Sequence, residues 1–357
     1  MMKVLHLPTY TGGHSWGLAQ GEKTFGLDSF VLFKSNDWLL YPCDIDLGLD
    51  KISSPILKFA KLAKTFLEIR SQYDVFHFNF GSSLFHSPHN HLNHLELPFY
   101  PKEAKLFATY NGCDIRQKYP TMLRTKIAAC HNADCYNGQC NSGSLDRFRQ
   151  QGIQKMQQYV QHIWALNPDL MYFLPHEKSS FLPYAISLDG IEPVVPKVHR
   201  KKLKIVHAPT NRAAKGSDYI LAAIAQLQKT HSEYFDFAIV EKIPHTQALQ
   251  LYREADLVID QILIGWYGGF AVEVMAMGKP VIARIAQADL HFLPPQMAKD
   301  VQETVIHADP NSIYEVLRHC LEDRQMLERH AEASIDYARK WHHPKCVASL
   351  TKQQYEM

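Results

Sequence analysis

DLVIDQILIGWYGGFAVEVMAMGKPVIA, residues 256–283, is the stretch that decides the fold. It opens on a short apolar run (256–260), crosses a glycine-rich turn, and closes on a second apolar run (279–283). The segment between them reads as a buried helix starting near Phe270. Strand, helix and strand in that order describe a crossover between parallel strands. The stretch also poses a chemical question, because its helix holds a lone acid, Glu273. Gly265, Gly268 and Gly269 let backbone approach a ligand closely. Glu273 is expected in the first helical turn, near the positive end of the dipole. An ordinary first-turn acid would look the same.

The same alternation runs along the chain in both directions. KVLHL (3–7), SFVLF (29–33), DVFHF (74–78), KLFATY (105–110) and HIWAL (162–166) read as strands of a first α/β unit. LKIVHA (203–208), FDFAIV (235–240), DLVID, KPVIA and TVIHA (304–308) make a second set. Helical periodicity lies between them, with Ile220, Leu221, Ile224 and Leu227 on one face and Ile313, Val316, Leu317, Cys320 and Leu321 on another. The expected organisation is an α/β chain of two Rossmann-like domains, 1–187 and 203–335. A Pro- and Lys/Arg-containing linker, 188–202, joins them, and a helical tail, 336–357, packs back on the first. Two such domains facing each other leave a cleft, and parallel sheets bind ligands at the C-terminal ends of their strands.

Composition agrees with this and removes several classes of function. A chain of 357 residues is long for one domain. Its 46% hydrophobic and 21% charged residues suit a globular protein, and its net charge of +2 does not point to nucleic acid. Neither a membrane-spanning run nor a signal peptide is apparent, so a cytoplasmic location with reduced thiols is expected. A dehydrogenase is disfavoured because no G-x-G-x-x-G follows the first strand.

Two loops carry the chemistry. After LKIVHA comes PTNRAAKGSDYI, where Arg212 and Lys215 precede a helix with Ser217 as its expected N-cap. Two cations beside unpaired helix N–H groups suit a diphosphate, though solvated surface charge reads alike. After DLVID comes the glycine turn.

Together these residues resemble the GT-B-fold retaining glycosyltransferases of family four, in which an acid is followed by AMACGKPVI; here the match is EVMAMGKPVI. NRAAKG (211–216) is similar to the family's phosphate segment. The glycine pair Gly12–Gly13, YDVFHFNFG (73–81) and NGCDIR (111–116) resemble its first-domain landmarks. The resemblance implies a GT-B fold and a nucleotide-diphosphate-sugar donor. It implies that Glu273 holds the ribose, that Arg212 and Lys215 hold the diphosphate, and that Gly12, Gly13, Asn211, Tyr267, Gly268, Gly269 and Phe270 line the donor site. Asp114, with Arg212 and Lys215, is the catalytic candidate, Asp114 contacting the acceptor. The implied activity is a metal-independent, hexosyltransferase-like transfer to a glycan or lipid-linked acceptor in bacterial surface polysaccharide or glycoconjugate synthesis. No cofactor is required beyond the donor.

Two departures keep other readings open. The family carries a second acid where this chain has Gly265, and a His where it has Asn111. Asp260 or the Tyr267–Gly269 backbone are the substitutes at hand. A nucleotide-sugar epimerase or hydrolase, or a catalytically silent GT-B subunit, therefore stays in view. Asp44 and Asp46 in DID are read as surface acids. Cys113, Cys130, Cys135 and Cys140 have near-zinc spacing or are idle thiols. The histidines of HSPHNHLNH (86–94) are read as a polar loop. The helix over 55–70 sets Phe59, Leu62, Ala63 and Phe66 beside Lys58, Lys61 and Lys64. It is either a solvated domain helix or a peripheral contact with the inner face of the plasma membrane.

Overall fold

The computed structural model describes residues 1–36, 40–188, 190–196 and 199–357. Two compact units form. The first comprises Met1–Gln117, Ser142–Ser187 and His343–Met357; the second comprises Lys118–Asn141 and Leu188–His342.

In the first unit seven strands form one parallel sheet. They are β1 (Lys3–Leu7), β2 (Asp28–Phe33), β3 (Ile45–Asp46), β4 (Val75–Phe78), β5 (Lys105–Tyr110), β6 (His162–Ala165) and β7 (Ser179–Phe181), in spatial order β3-β2-β1-β4-β5-β6-β7. The second unit holds β8 (Leu203–His207), β9 (Phe235–Ile239), β10 (Leu257–Ile259), β11 (Val281–Ala283) and β12 (Ile306–His307). These are ordered β12-β11-β10-β8-β9, again all parallel. Each order reverses once, between β1 and β4 and between β8 and β10. Such switch points open the crevice in which α/β sheets take ligands.

Burial follows the expected stripes. Ile220, Ile224, Leu227, Ile313, Leu317, Cys320 and Leu321 share one core with Leu203, Ile205, Leu257 and Ile282, while Leu221 and Val316 are only half-buried. The sequence reading missed β3 and β7, which have two and three residues and too little pattern to register.

Helix Pro344–Glu356 belongs to the first unit. Gly21 explains the close packing there, since a Cβ on it would lie 2.2 Å from the Pro344 carbonyl oxygen. Its Tyr355 hydroxyl meets His77 Nδ1 at 2.6 Å, and the Thr351 hydroxyl donates to buried Glu22 at 3.2 Å.

Lys118–Asn141 groups with the second unit, which the boundary at 187 does not capture. Arg124 pairs with Asp289 at 2.7 Å, and Ile127 and Cys135 pack on Ala214 and Leu263. Of the linker, Asp189, Lys197 and Val198 lie outside the described residues. The part near Val194 is pinned: its N–H donates to the Met277 carbonyl at 2.9 Å, and its own carbonyl accepts from Lys279 at 2.8 Å. Burial lowers the Lys279 ammonium to about 8.

Candidate functional site

The candidate donor-site residues of the second unit gather where its strand order reverses. β8 leads into helix Arg212–Lys215, capped by the Asn211 side chain, which accepts from the Ala214 N–H at 2.9 Å. β10 leads through the glycine turn into helix Gly269–Ala276. The two loops touch through Asp260. Its buried carboxylate accepts from Lys215 Nζ at 2.6 Å through one oxygen and from the Gly268 N–H at 2.8 Å through the other. Both oxygens are engaged, so Asp260 ties the two loops together.

Ser217 is not the cap it was expected to be. Gly216, at φ +80°, caps helix Ser217–His231, and the Ser217 hydroxyl meets His207 Nε2 at 2.8 Å. His207 Nδ1 lies 2.8 Å from the Ile259 carbonyl, so Nδ1 carries the proton and Nε2 accepts. Burial keeps this imidazole neutral, lowering it to about 4.

Glu273 also differs in position. The helix begins at Gly269, which puts Glu273 one turn in, with its carbonyl already accepting from the Met277 N–H at 3.1 Å. The dipole of the first turn is therefore not what holds the charge. His245, at the start of helix His245–Glu254, meets Glu273 Oε1 at 2.8 Å. Burial opposes a charge on His245, and the hydrogen bond and charge of Glu273 overcome it, raising the imidazole above its ordinary value. The Glu273 side chain is only 8% exposed.

Arg212 is exposed and held side-on by Glu241, which accepts from Nε at 2.9 Å and from Nη2 at 2.8 Å. The Nη1–Nη2 edge faces away from that bond, which suits end-on contact with phosphate. Tyr267 turns its ring away from the turn; it is buried, with its hydroxyl 2.8 Å from both Tyr337 and His342. Only its backbone lines the turn. Phe270 packs edge-on against Tyr252 at 4.7 Å.

Gly265 has a steric reason. A Cβ there would sit 2.6 Å from the Ala286 methyl and 3.5 Å from Arg284 Nη1. The Gly265 carbonyl also accepts from the Ala286 N–H at 2.9 Å. An acid does not fit without moving the loop after β11.

In the first unit, Gly12 and Gly13 turn the chain after β1 at φ +65° and +70°, and Gly13 caps helix His14–Lys23. Asp114 follows β5. Its carboxylate accepts from the N–H groups of Asn111 at 2.8 Å, Gly112 at 2.6 Å and Ile115 at 3.2 Å. Burial raises its carboxyl to about 6 despite those bonds and the nearby Arg116 charge. It shapes the turn first, and any contact with an acceptor comes in addition.

Among the described residues no three His, Cys, Asp or Glu side chains converge as a metal-holding group. Cys113 falls in the first unit, and Cys130, Cys135 and Cys140 in the second. His94 is buried, stacked on His86 at 4.1 Å and bonded to the Ser83 hydroxyl. Asp44 and Asp46 accept from the N–H groups of Val31 and Gly48.

Sequence reasoning missed Glu241 and His245. Glu241 stands at the C-terminal end of the β9 run, beside β8, and strand-end position was the signal available for it. His245 carries no such signal, because its meaning depends on meeting Glu273.

No family model matches the sequence, and no curated protein matches it. Solved structures do match over the whole chain. Sucrose-phosphate synthase from Thermosynechococcus elongatus is 14% identical, with 100% of this chain and 98% of that one covered and a TM-score of 0.64. HepE of Anabaena in complex with UDP and glucose is 12% identical, with both chains covered 100% and a TM-score of 0.61. UDP-GlcNAc 2-epimerase from Neisseria meningitidis bound to UDP-GlcNAc is 10% identical, with 99% of each chain covered and a TM-score of 0.54. At these identities the likeness is one of fold, and the fold is GT-B.

Proposed function

We propose that this chain is a retaining, hexosyltransferase-like glycosyltransferase. It would move a sugar from a nucleoside diphosphate to a hydroxyl of a glycan or lipid-linked acceptor, in surface polysaccharide or glycoconjugate synthesis. The observation that supports this most is the convergence at the β8/β10 switch point of Arg212, Lys215, a glycine-turn helix start and the buried Glu273 carboxylate. Glu273 Oε2 would accept from a ribose hydroxyl. Arg212, Lys215 and the helix start would balance the charge that grows on the diphosphate as the glycosidic bond breaks, without a metal ion. The leaving phosphate would take the acceptor proton on the face where the new bond forms. Asp114 would contact the acceptor, and the Gly12–Gly13 turn would line the donor site. UDP in the HepE structure makes it the first nucleotide to try.

A nucleotide-sugar epimerase or hydrolase is the second reading, favoured by an epimerase of the same fold and by the absent acid at Gly265. The test is calorimetric titration with UDP, in which Glu273→Ala should weaken binding by about 2–5 kcal/mol. Equal affinity would remove Glu273 from the site. Incubation with UDP-sugars then separates the activities. Transfer releases UDP only with an acceptor, hydrolysis releases it without one, and epimerisation changes the sugar with no release. A silent subunit does none of these.

A further inference from the structure

The charged groups of the second unit fall in a row along one sheet edge, whose strands run β12-β11-β10-β8-β9. At the β9 end Glu273 meets His245, which opens the helix after that strand. Arg212 and Lys215 follow β8, and the glycine turn follows β10. The next charge in the row is Arg284, immediately after β11. A nucleotide sugar has its parts in a matching order: ribose, diphosphate, sugar. With the ribose at Glu273 and the diphosphate at the β8 and β10 loops, the sugar falls toward β11.

Arg284 is half-buried and turned back over the β10 loop. Its backbone N–H donates to the Gln261 carbonyl at 2.9 Å, and Nη1 donates to the Leu263 carbonyl at 3.5 Å. A Cβ on residue 265 would lie 3.5 Å from the same Nη1. An acid at that position would stand against the guanidinium, and Gly265 brings none. β11 lies two strands from β8, about 10 Å at the usual spacing, so Arg284 stands beyond the phosphate-facing cations.

His307, at the end of β12, adds a neutral donor. Its Nδ1 accepts from the Ile285 N–H at 3.1 Å, which leaves the ring proton on Nε2. Burial lowers this imidazole below its ordinary value, Asp309 raises it, and the Arg284 charge lowers it again. Asp309 commits Oδ1 to the N–H groups of Asn311 and Ser312, at 2.8 and 3.1 Å.

From this order we infer that the donor sugar carries a carboxylate, as a hexuronate does, and that Arg284 is the residue that reads it. The inference rests on the proposed donor site and adds the class of sugar held there. A neutral hexose offers the guanidinium hydroxyls alone, whereas a carboxylate takes two parallel N–H bonds from it.

The experiment is calorimetric titration of the full chain with UDP, UDP-glucose and UDP-glucuronate. UDP-glucuronate should bind about ten- to hundredfold more tightly than UDP-glucose, with a margin that shrinks in added salt. Arg284→Gln should remove that margin and leave UDP and UDP-glucose within about twofold of the parent. Arg284→Lys, which keeps the charge without the fork, should restore part of it. Equal affinity of the parent for the two sugars, with UDP bound, would overturn the inference and leave the donor site standing. A loss shared by all three ligands in Arg284→Gln would make Arg284 a phosphate ligand and overturn it too. No binding of UDP would bring down the donor site and the inference together. The preference of the parent is read without any variant, so a misfolded Arg284→Gln does not spare the inference.

Discussion

At the C-terminal edge of the second sheet, charges come in opposite-sign pairs: Lys215 with Asp260, Arg212 with Glu241, His245 with Glu273. At the same edge of the first sheet a buried ion pair, Arg116 with Asp169 at 2.6 Å, stands beside a row of buried amides. Asn79, Asn111 and Asn167 follow β4, β5 and β6, and the Oδ1 atoms of Asn79 and Asn111 have no hydrogen-bond partner among the described residues. The difference teaches what each edge can receive. A pre-paired cation keeps its charge in a partly dry site and still offers N–H groups to an anion. An idle amide oxygen wants a donor, such as a hydroxyl. On the proposed function, the paired edge would receive the diphosphate and the amide edge the acceptor hydroxyl.

The two cations of the paired edge should fail in different ways, and this is the largest effect expected. Lys215 neutralises a fully buried carboxylate, so Lys215→Met strands a charge and should cost about 3–5 kcal/mol in urea unfolding. Arg212 is exposed, and Arg212→Ala should leave the unfolding midpoint where it was. Its loss belongs to turnover: release of nucleoside diphosphate should fall by about 100- to 1000-fold, with EDTA changing little. Loss of turnover to EDTA and its return with magnesium, with Arg212→Ala near normal, would defeat the metal-free reading. Equal stability losses in the two variants would erase the distinction between them.

Glycines sharpen the comparison at a smaller scale. Gly265→Ala drives a methyl against Ala286 and should cost about 1–3 kcal/mol, as overpacking does. Gly12→Ala in the first unit meets nothing within 4 Å, and only its positive φ resists. Its cost should be about 1 kcal/mol. Thermal melts of the two variants, run side by side, decide whether packing or backbone rules each turn.

Most of the fold was legible because apolar runs and helical stripes are local. β1 and β5 begin and end where KVLHL and KLFATY do. The homing of Lys118–Asn141 to the second unit was not legible, since it rests on Arg124 meeting Asp289 far along the chain. The site divides in the same way. Arg212, Lys215 and Glu273 stand out as charges at loop and helix positions that a strand pattern fixes. What each one touches does not. Asp260 looked like a spare acid until both oxygens were found engaged, and Tyr267 looked like a wall of the turn until its ring proved to belong to a buried cluster with Tyr337 and His342. Partners that depend on long-range folding leave no mark in spacing.

The smallest effect expected is a pH dependence at His245 opposite in sign to that of the buried histidines of both units, His207 among them. In the first unit burial holds His77 and His94 well below the ordinary imidazole value and His86 at about 3. A histidine kept neutral in the folded state loses stability as pH falls below its unfolded value near 6.5. His245 runs the other way. Burial lowers its affinity for a proton, but the hydrogen bond and charge of Glu273 more than compensate, and its folded value ends above 6.5. Its contribution is therefore complete below about pH 6.5 and fades as pH rises through the folded value. The pair is partly solvated, so its contribution should be about 0.5–1 kcal/mol. His245→Ala should be less stable than the parent by that amount near pH 6 in urea unfolding, and the gap should close as pH rises through the folded value of His245. A gap that widens with pH would mean that His245 enters the fold neutral. Glu273 would then be held by geometry alone, and the paired edge would lose one of the three ion pairs that set it apart from the amide edge.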